Sequence, residues 1–135
     1  MLYVDSNIFI YPVIYDSDAV PEAAKAKAKL HEIASGSVKA FTSALTWDEV
    51  TWVTGRLFGS EKAAAQGASF LKLPNLKLLK VDIEVVCRAQ ALLEEHHLKP
   101  RDAIHAATAI RNGISKILSY DEDFDILPNL VRVSP

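Results

Sequence analysis

Five short apolar runs, each parted from the next by residues of helical character, constrain this chain more than any other feature. They are Leu2–Asp5, Lys39–Ser43, Lys77–Val81, Lys116–Tyr120 and Leu130–Val133. Each is apolar or β-branched for a few residues and then stops at a polar group, as strands do. Helices are expected at Glu22–Ala34, Ala44–Leu57, Glu61–Leu73, Ile83–His97 and Arg101–Asn112. Pro21 suits a first helical position, and Gly36 and Gly113 suit helix stops. Strands alternating with helices call for a parallel sheet covered on both faces. Near-continuous apolar strands agree, because such strands are buried on both sides. The fold class is therefore α/β. A chain of 135 residues, half of them hydrophobic, is expected to form one domain over 1–135 without disulfides or a structural metal.

Several function classes drop out early. The one cysteine, Cys87, forbids an internal disulfide and is expected to be a small packed side chain. No Cys/His cluster has zinc spacing. Met1-Leu2-Tyr3-Val4 runs straight into Asp5 and resembles no signal peptide. No apolar run approaches the ~20 residues of a membrane span. A cytoplasmic protein with no membrane partner is expected. The net charge of −2 gives no global pull on nucleic acid, so nucleic-acid chemistry would have to rest on a local site. The lysines at 25, 27, 29, 72, 77, 80 and 99, with Arg101, are expected mainly on solvated helix faces.

Four acids fall where that fold would bring them together. Open parallel sheets bind ligands beyond the carboxyl ends of their strands. Asp5 and Asp121 follow the first and fourth strands. Asp102 opens a helix whose face is small and apolar (Ala103, Ala106, Ala109, Ile110, Gly113), so the helix can press against the sheet. Its alternative role is a charge favoured by the helix dipole. Glu49 lies roughly 70° from a core stripe of Thr46, Val50, Val53 and Leu57, at about 100° per residue, and a solvated glutamate is the alternative there. Converging carboxylates repel: two unit charges 4 Å apart cost about 4 kcal/mol at an effective dielectric of 20. Either a hard divalent cation neutralises them, or one or two stay protonated.

The order of these residues resembles the PIN domain family. The resemblance rests on Val4-Asp5-Ser6-Asn7, on Ser43-Ala44-Leu45-Thr46 followed by Glu49, on Lys99 to Ala107, and on Leu118-Ser119-Tyr120-Asp121-Glu122-Asp123-Phe124. It covers nearly the whole chain. It implies an α/β/α sandwich around a five-stranded parallel sheet of order 3-2-1-4-5. It further implies a Mg²⁺- or Mn²⁺-dependent ribonuclease that hydrolyses RNA phosphodiesters. The resemblance also extends to toxins of the VapC type, which form homodimers and are held inactive by a cognate antitoxin. By resemblance Asp5, Glu49, Asp102 and Asp121 are the catalytic and metal-binding set. Ser6 and Asn7 orient Asp5, Ser119 supports Asp121, and Asp123 is an auxiliary acid. Asp125 is expected at the surface.

Other residues receive plainer expectations. His105, three residues after Asp102, is expected to be partly buried and hydrogen-bonded rather than a ligand. His96 and His97 carry no chemistry, and Asp82 caps the next helix. Trp52 points about 130° from the core stripe of its helix, which suits an interface or packing against the helix 61–73. No aromatic and basic stacking platform is evident, which argues against general coating of single strands. A haloacid-dehalogenase-type phosphatase needs a second acid where Asn7 stands, and a receiver domain needs an acid pair and a late lysine that are missing. The competing expectations are a non-catalytic PIN scaffold or RNA-binding module, against which the four acids speak, and a housekeeping RNA-processing nuclease without an antitoxin.

Overall fold

The computed structural model describes residues 1–135. Strands β1 (Leu2–Val4), β2 (Ala40–Ser43), β3 (Leu76–Leu79), β4 (Lys116–Leu118) and β5 (Val131–Val133) form one parallel sheet in the order β3-β2-β1-β4-β5. Six helices flank it: α1 (Ser6–Ile14), α2 (Pro21–Ala34), α3 (Ala44–Phe58), α4 (Ser60–Leu71), α5 (Ile83–His96) and α6 (Pro100–Arg111). The expected α/β class and strand order are those observed. None of the helices is long and apolar enough to cross a membrane.

The topology decides where a ligand can sit. The chain builds β1, β2 and β3 outward in one direction, then returns to lay β4 and β5 on the other side of β1. β1 and β4 are therefore neighbours, with Tyr3 beside Ile117 and Val4 beside Leu118. Their crossovers leave in opposite directions, which opens a crevice beyond their carboxyl ends.

Strand alternation divides the core between the two faces. Tyr3, Phe41 and Ile117 pack with Val85, Ala89 and Leu92 of α5 and with the alanines of α6. Val4, Ala40 and Leu118 pack on the other face with Ile8, Phe9, Ala26, Ile33, Val50 and Phe70, drawn from α1 to α4. Burial of this kind contributes about 25 cal/mol for each Å² of apolar surface removed from water.

The structure corrects four local expectations. Residues Ser6–Ile14 form a helix that the sequence pattern did not suggest. Ile8, Phe9, Ile10 and Tyr11 are β-branched or aromatic and lack a helical stripe, and Pro12 sits inside. Packing of Ile8 and Phe9 into the core overrides that propensity. As a result β1 stops at Val4, one residue short of the expected end, and Asp5 directly after it caps α1, its carboxylate accepting from the Ser6 N–H at 2.7 Å. Along α3 the buried stripe is Thr46, Val50 and Thr54, and Leu57 is exposed. Cys87 is exposed too, because α5 buries Val85, Ala89 and Leu92 and Cys87 lies about 200° round the helix from Val85. Asp82 does cap α5, accepting from the Val85 N–H at 3.0 Å.

Helices α3 and α4 lie against each other at Gly67. A Cβ on Gly67 would stand 2.8 Å from Thr51 Cγ2 and 3.0 Å from Trp47 Nε1. The expected outcome for Gly67→Ala is a loss of about 1–3 kcal/mol in denaturant unfolding, from overpacking. An unchanged midpoint would show that the two helices are free to separate.

Candidate active site

Each acid is delivered to the crevice by a different element. Asp5 lies at the β1–α1 junction, Asp121 just past β4, Asp102 in the first turn of α6, and Glu49 one turn into α3. Glu49, Asp102 and Asp121 line one cleft of about 470 Å³ with Lys99, Pro100 and Arg101. Asp5 lies deeper, 4% exposed.

Ser119 ties the floor together. Its hydroxyl donates to Asp5 Oδ2 at 2.6 Å. The same oxygen accepts from Asn7 Nδ2 at 3.0 Å and from the Asp121 N–H at 2.9 Å. One hydroxyl thus uses its donor and both acceptor positions, and it joins the ends of β1 and β4 with the start of α1. Ser6 works beside it: its N–H bonds Asp5 Oδ1, and its hydroxyl donates to Glu49 Oε2 at 3.1 Å. Asp121 Oδ1 accepts from the Asp123 N–H at 2.9 Å, which sets the turn (Glu122–Ile126) that follows it.

His105 is the residue whose part was least visible in the sequence. It is fully buried rather than partly so, and it is hydrogen-bonded as expected. Its Nε2 lies 2.6 Å from Glu49 Oε1 and 3.6 Å from Asp5 Oδ1. A carboxylate only accepts, so Nε2 carries a hydrogen. Nδ1 lies 2.7 Å from the Tyr3 hydroxyl. Burial alone would pull the imidazole's pKa down, but the Glu49 hydrogen bond and the charges of Asp5 and Glu49 outweigh it and hold the ring above its ordinary value. The i, i+3 spacing of Asp102 and His105 was the only signal in the sequence.

The remaining electrostatics mark Asp102. Burial raises its pKa to about 6, and repulsion from Asp121 and then Asp5 adds to the effect. Its Oδ2 is buried with no hydrogen-bond partner. Burial likewise raises Asp5, opposed by His105 and the Ser119 and Ser6 hydrogen bonds. Carboxylate oxygens of Asp102, Asp121 and Asp123 all lie within 4.8 Å of one another. Asp123 is exposed and also meets Lys99 Nζ at 3.2 Å. Asp125 lies outside the cleft at the surface, clasped by Arg132 through two 2.8 Å hydrogen bonds. The donors that converge without being tied to other side chains are therefore Asp102 and Asp121, while Asp5 and Glu49 are held by neighbours.

Comparison with known proteins bears on the family and the fold. The PIN domain family model matches residues 2–130. The VapC13 ribonuclease of Mycobacterium tuberculosis is 27% identical over 139 residues, spanning 99% of this chain and all of the relative. A VapC ribonuclease of Mycobacterium bovis matches equally well. Among solved structures, the M. tuberculosis toxin VapC20 superposes with a TM-score of 0.75 at 18% identity, covering 96% of this chain and 97% of that one. The Rickettsia felis VapBC2 complex bound to promoter DNA gives 0.72 at 18% identity, with 99% and 98% covered. At that identity the two superpositions speak for the fold.

The Asp102 environment predicts a pH dependence. A carboxyl whose folded pKa lies above its unfolded value, ~3.9, stabilises the fold when protonated. That stability is complete below the unfolded pKa and is lost as pH rises through about 6. His105, also raised, acts in the same direction. In EDTA the melting temperature is expected to fall between about pH 4 and pH 6 from Asp102, and further above about pH 6.5 from His105, and Asp102→Asn is expected to melt above wild type at the upper end only. An Asn variant that melts below wild type throughout would show that no repulsion acts on this carboxylate.

Proposed function

The chain belongs to the PIN domain family, and on that premise we propose that it is a Mg²⁺- or Mn²⁺-dependent endoribonuclease, the toxin of a toxin–antitoxin pair acting in the cytoplasm. The observation that carries this reading is the set of four carboxylates at the crevice between β1 and β4, in a chain whose relatives of the same length are VapC ribonucleases.

A divalent ion fits the residues present. The donors are all carboxylate oxygens, the preference of a hard cation. Asp102 Oδ2 is buried and lacks any other partner. Asp102, Asp121 and Asp5 would hold the ion, with Asp123 beside Asp121 as an auxiliary acid. When bound, such an ion lowers the pKa of a coordinated water and neutralises charge on a phosphoryl oxygen.

The chain's own residues supply orientation and proton handling. Ser119 and Ser6 fix the Asp5 carboxylate, and Ser119 also fixes the Asp121 backbone through its N–H. Glu49 lines the cleft with Oε1 anchored on His105 and Oε2 on Ser6, and its side chain is 12% exposed. In that position it takes a proton from the attacking water, as a general base does. Lys99 and Arg101 at the cleft mouth offer positive charge to the phosphate chain.

Partner binding has its own support. An apolar groove of about 540 Å³ lies on the α1–α4 side, lined in part by Phe9, Pro12, Val13, Leu30 and Phe58. Leu57 and Leu71 also expose apolar surface. Surfaces of this kind mark places where another chain docks, which suits an antitoxin and a second copy.

Purified protein is expected to cleave single-stranded RNA with Mg²⁺ or Mn²⁺ and to be inert in EDTA, in a gel assay of fragments. Asp5→Asn is expected to abolish cleavage. Ser119→Ala, which removes the hydroxyl orienting Asp5, is expected to weaken it about 10- to 100-fold. Intact RNA across a broad panel with both metals would instead favour a non-catalytic scaffold.

A further inference from the structure

The face of α3 that carries Glu49 continues past the acidic cleft. Trp52 is three residues on and Arg56 seven, so the three side chains follow one another along the same side of the helix. At 1.5 Å of rise per residue, Trp52 lies about 4.5 Å and Arg56 about 10 Å along the axis from Glu49. Arg101, next to Asp102 at the start of α6, reaches the same place from the opposite wall. The Arg56 guanidinium carbon lies 4.8 Å from the Trp52 ring centroid, and that of Arg101 lies 5.7 Å from it.

These groups meet one another, and the two arginines have no acidic partner. Trp52 is 48% exposed; Trp47, on the same helix, is 43% exposed, but its indole edge lies against Gly67 of α4. Arg111 and Arg132 are held by Glu84 and Asp125, but neither Arg56 nor Arg101 makes an ion pair. An aromatic face flanked by two unpaired guanidinium groups is complementary to a nucleotide. The half-exposed ring and the guanidinium planes lying over it offer stacking surfaces to a base, and the arginines offer bidentate donors to phosphate. The fold thus assembles from two helices the aromatic and basic platform that is invisible in the linear sequence. A chain of net charge −2 with an acidic cleft needs such local cations where RNA enters.

We propose that Trp52, with Arg56 and Arg101, is a nucleobase-stacking subsite of this protein, holding the nucleotide next to the one whose phosphate lies at the acidic cleft. This rests on the ribonuclease reading. The stacked base orders the strand before cleavage, so the subsite governs affinity for a longer RNA and not the hydrolysis step.

The test uses the full chain. In the Trp47→Phe protein Trp52 is the only indole, and mixing with a single-stranded oligoribonucleotide and Mg²⁺ in a stopped-flow cell is expected to quench fluorescence before product forms. Trp52→Ala is expected to raise KM for that RNA roughly tenfold with kcat within about twofold, and Trp52→Phe to restore most of the loss. Sedimentation velocity is expected to show the same oligomeric state for wild type and Trp52→Ala. Cleavage without quenching, or an unchanged KM, would overturn the subsite while leaving the nuclease intact. A change of oligomeric state in Trp52→Ala would assign the ring to a contact between copies and overturn it equally. Quenching by a protein that never cleaves RNA would support the subsite and strike the hydrolysis instead.

Discussion

Mutual repulsion among carboxylates at the end of a buried parallel sheet is the constraint that shapes the rest of this molecule. Desolvation and repulsion both disfavour the charged forms, and Asp102 shows the two acting together. The fold answers with a specific set of donors. Ser6 and Ser119 bond Asp5, and Ser6 and His105 bond Glu49, so both acids are satisfied within the protein. Asp102 Oδ2 receives no such donor. The unevenness is informative, because a buried oxygen without a partner is costly and it belongs to a carboxylate that lies close to Asp121 and Asp123. Asp5 and Glu49 are oriented by these donors, while Asp102 keeps a buried oxygen with none.

The sheet topology makes this arrangement possible. Because β1 and β4 are adjacent and their connections leave in opposite directions, the ends of both strands open onto one crevice. Ser119 closes its floor through three hydrogen bonds. The small residues Ala103, Ala106 and Ala107 let α6 lie close to the sheet, and that approach carries His105 into the space between Tyr3 and Glu49. A bulkier α6 would hold the imidazole away from Glu49. The site therefore depends on a packing choice made on the other side of the same helix.

Much of this was legible in the sequence, for identifiable reasons. Strand and helix alternation follows from hydrophobic period, which is a local property, and it led to the parallel sheet. The ends of the strands then located Asp5 and Asp121. Helix α1 was hidden because Ile8 to Tyr11 favour extended structure and only their burial makes them helical. Helical periodicity placed Glu49 about 70° from a stripe, but the stripe itself runs through Thr54 and not Leu57, which puts Glu49 about 100° from its centre; Ser6 and His105, on other elements, are what cover it. The bonds of His105 to Tyr3 and Glu49, and the approach of Arg101 to Trp52, join residues far apart in the chain. No spacing rule reaches that far, so only the assembled fold could reveal them.

The proposed metal site is tested most directly by crystals of the protein grown with Mn²⁺ and measured near the manganese absorption edge. An anomalous peak bounded by Asp102 and Asp121, with Asp5 on its inner side, is the result expected from the unpartnered Asp102 oxygen and the surrounding charge. A saturated crystal with no peak there, or with manganese bound only at other acids, would contradict it.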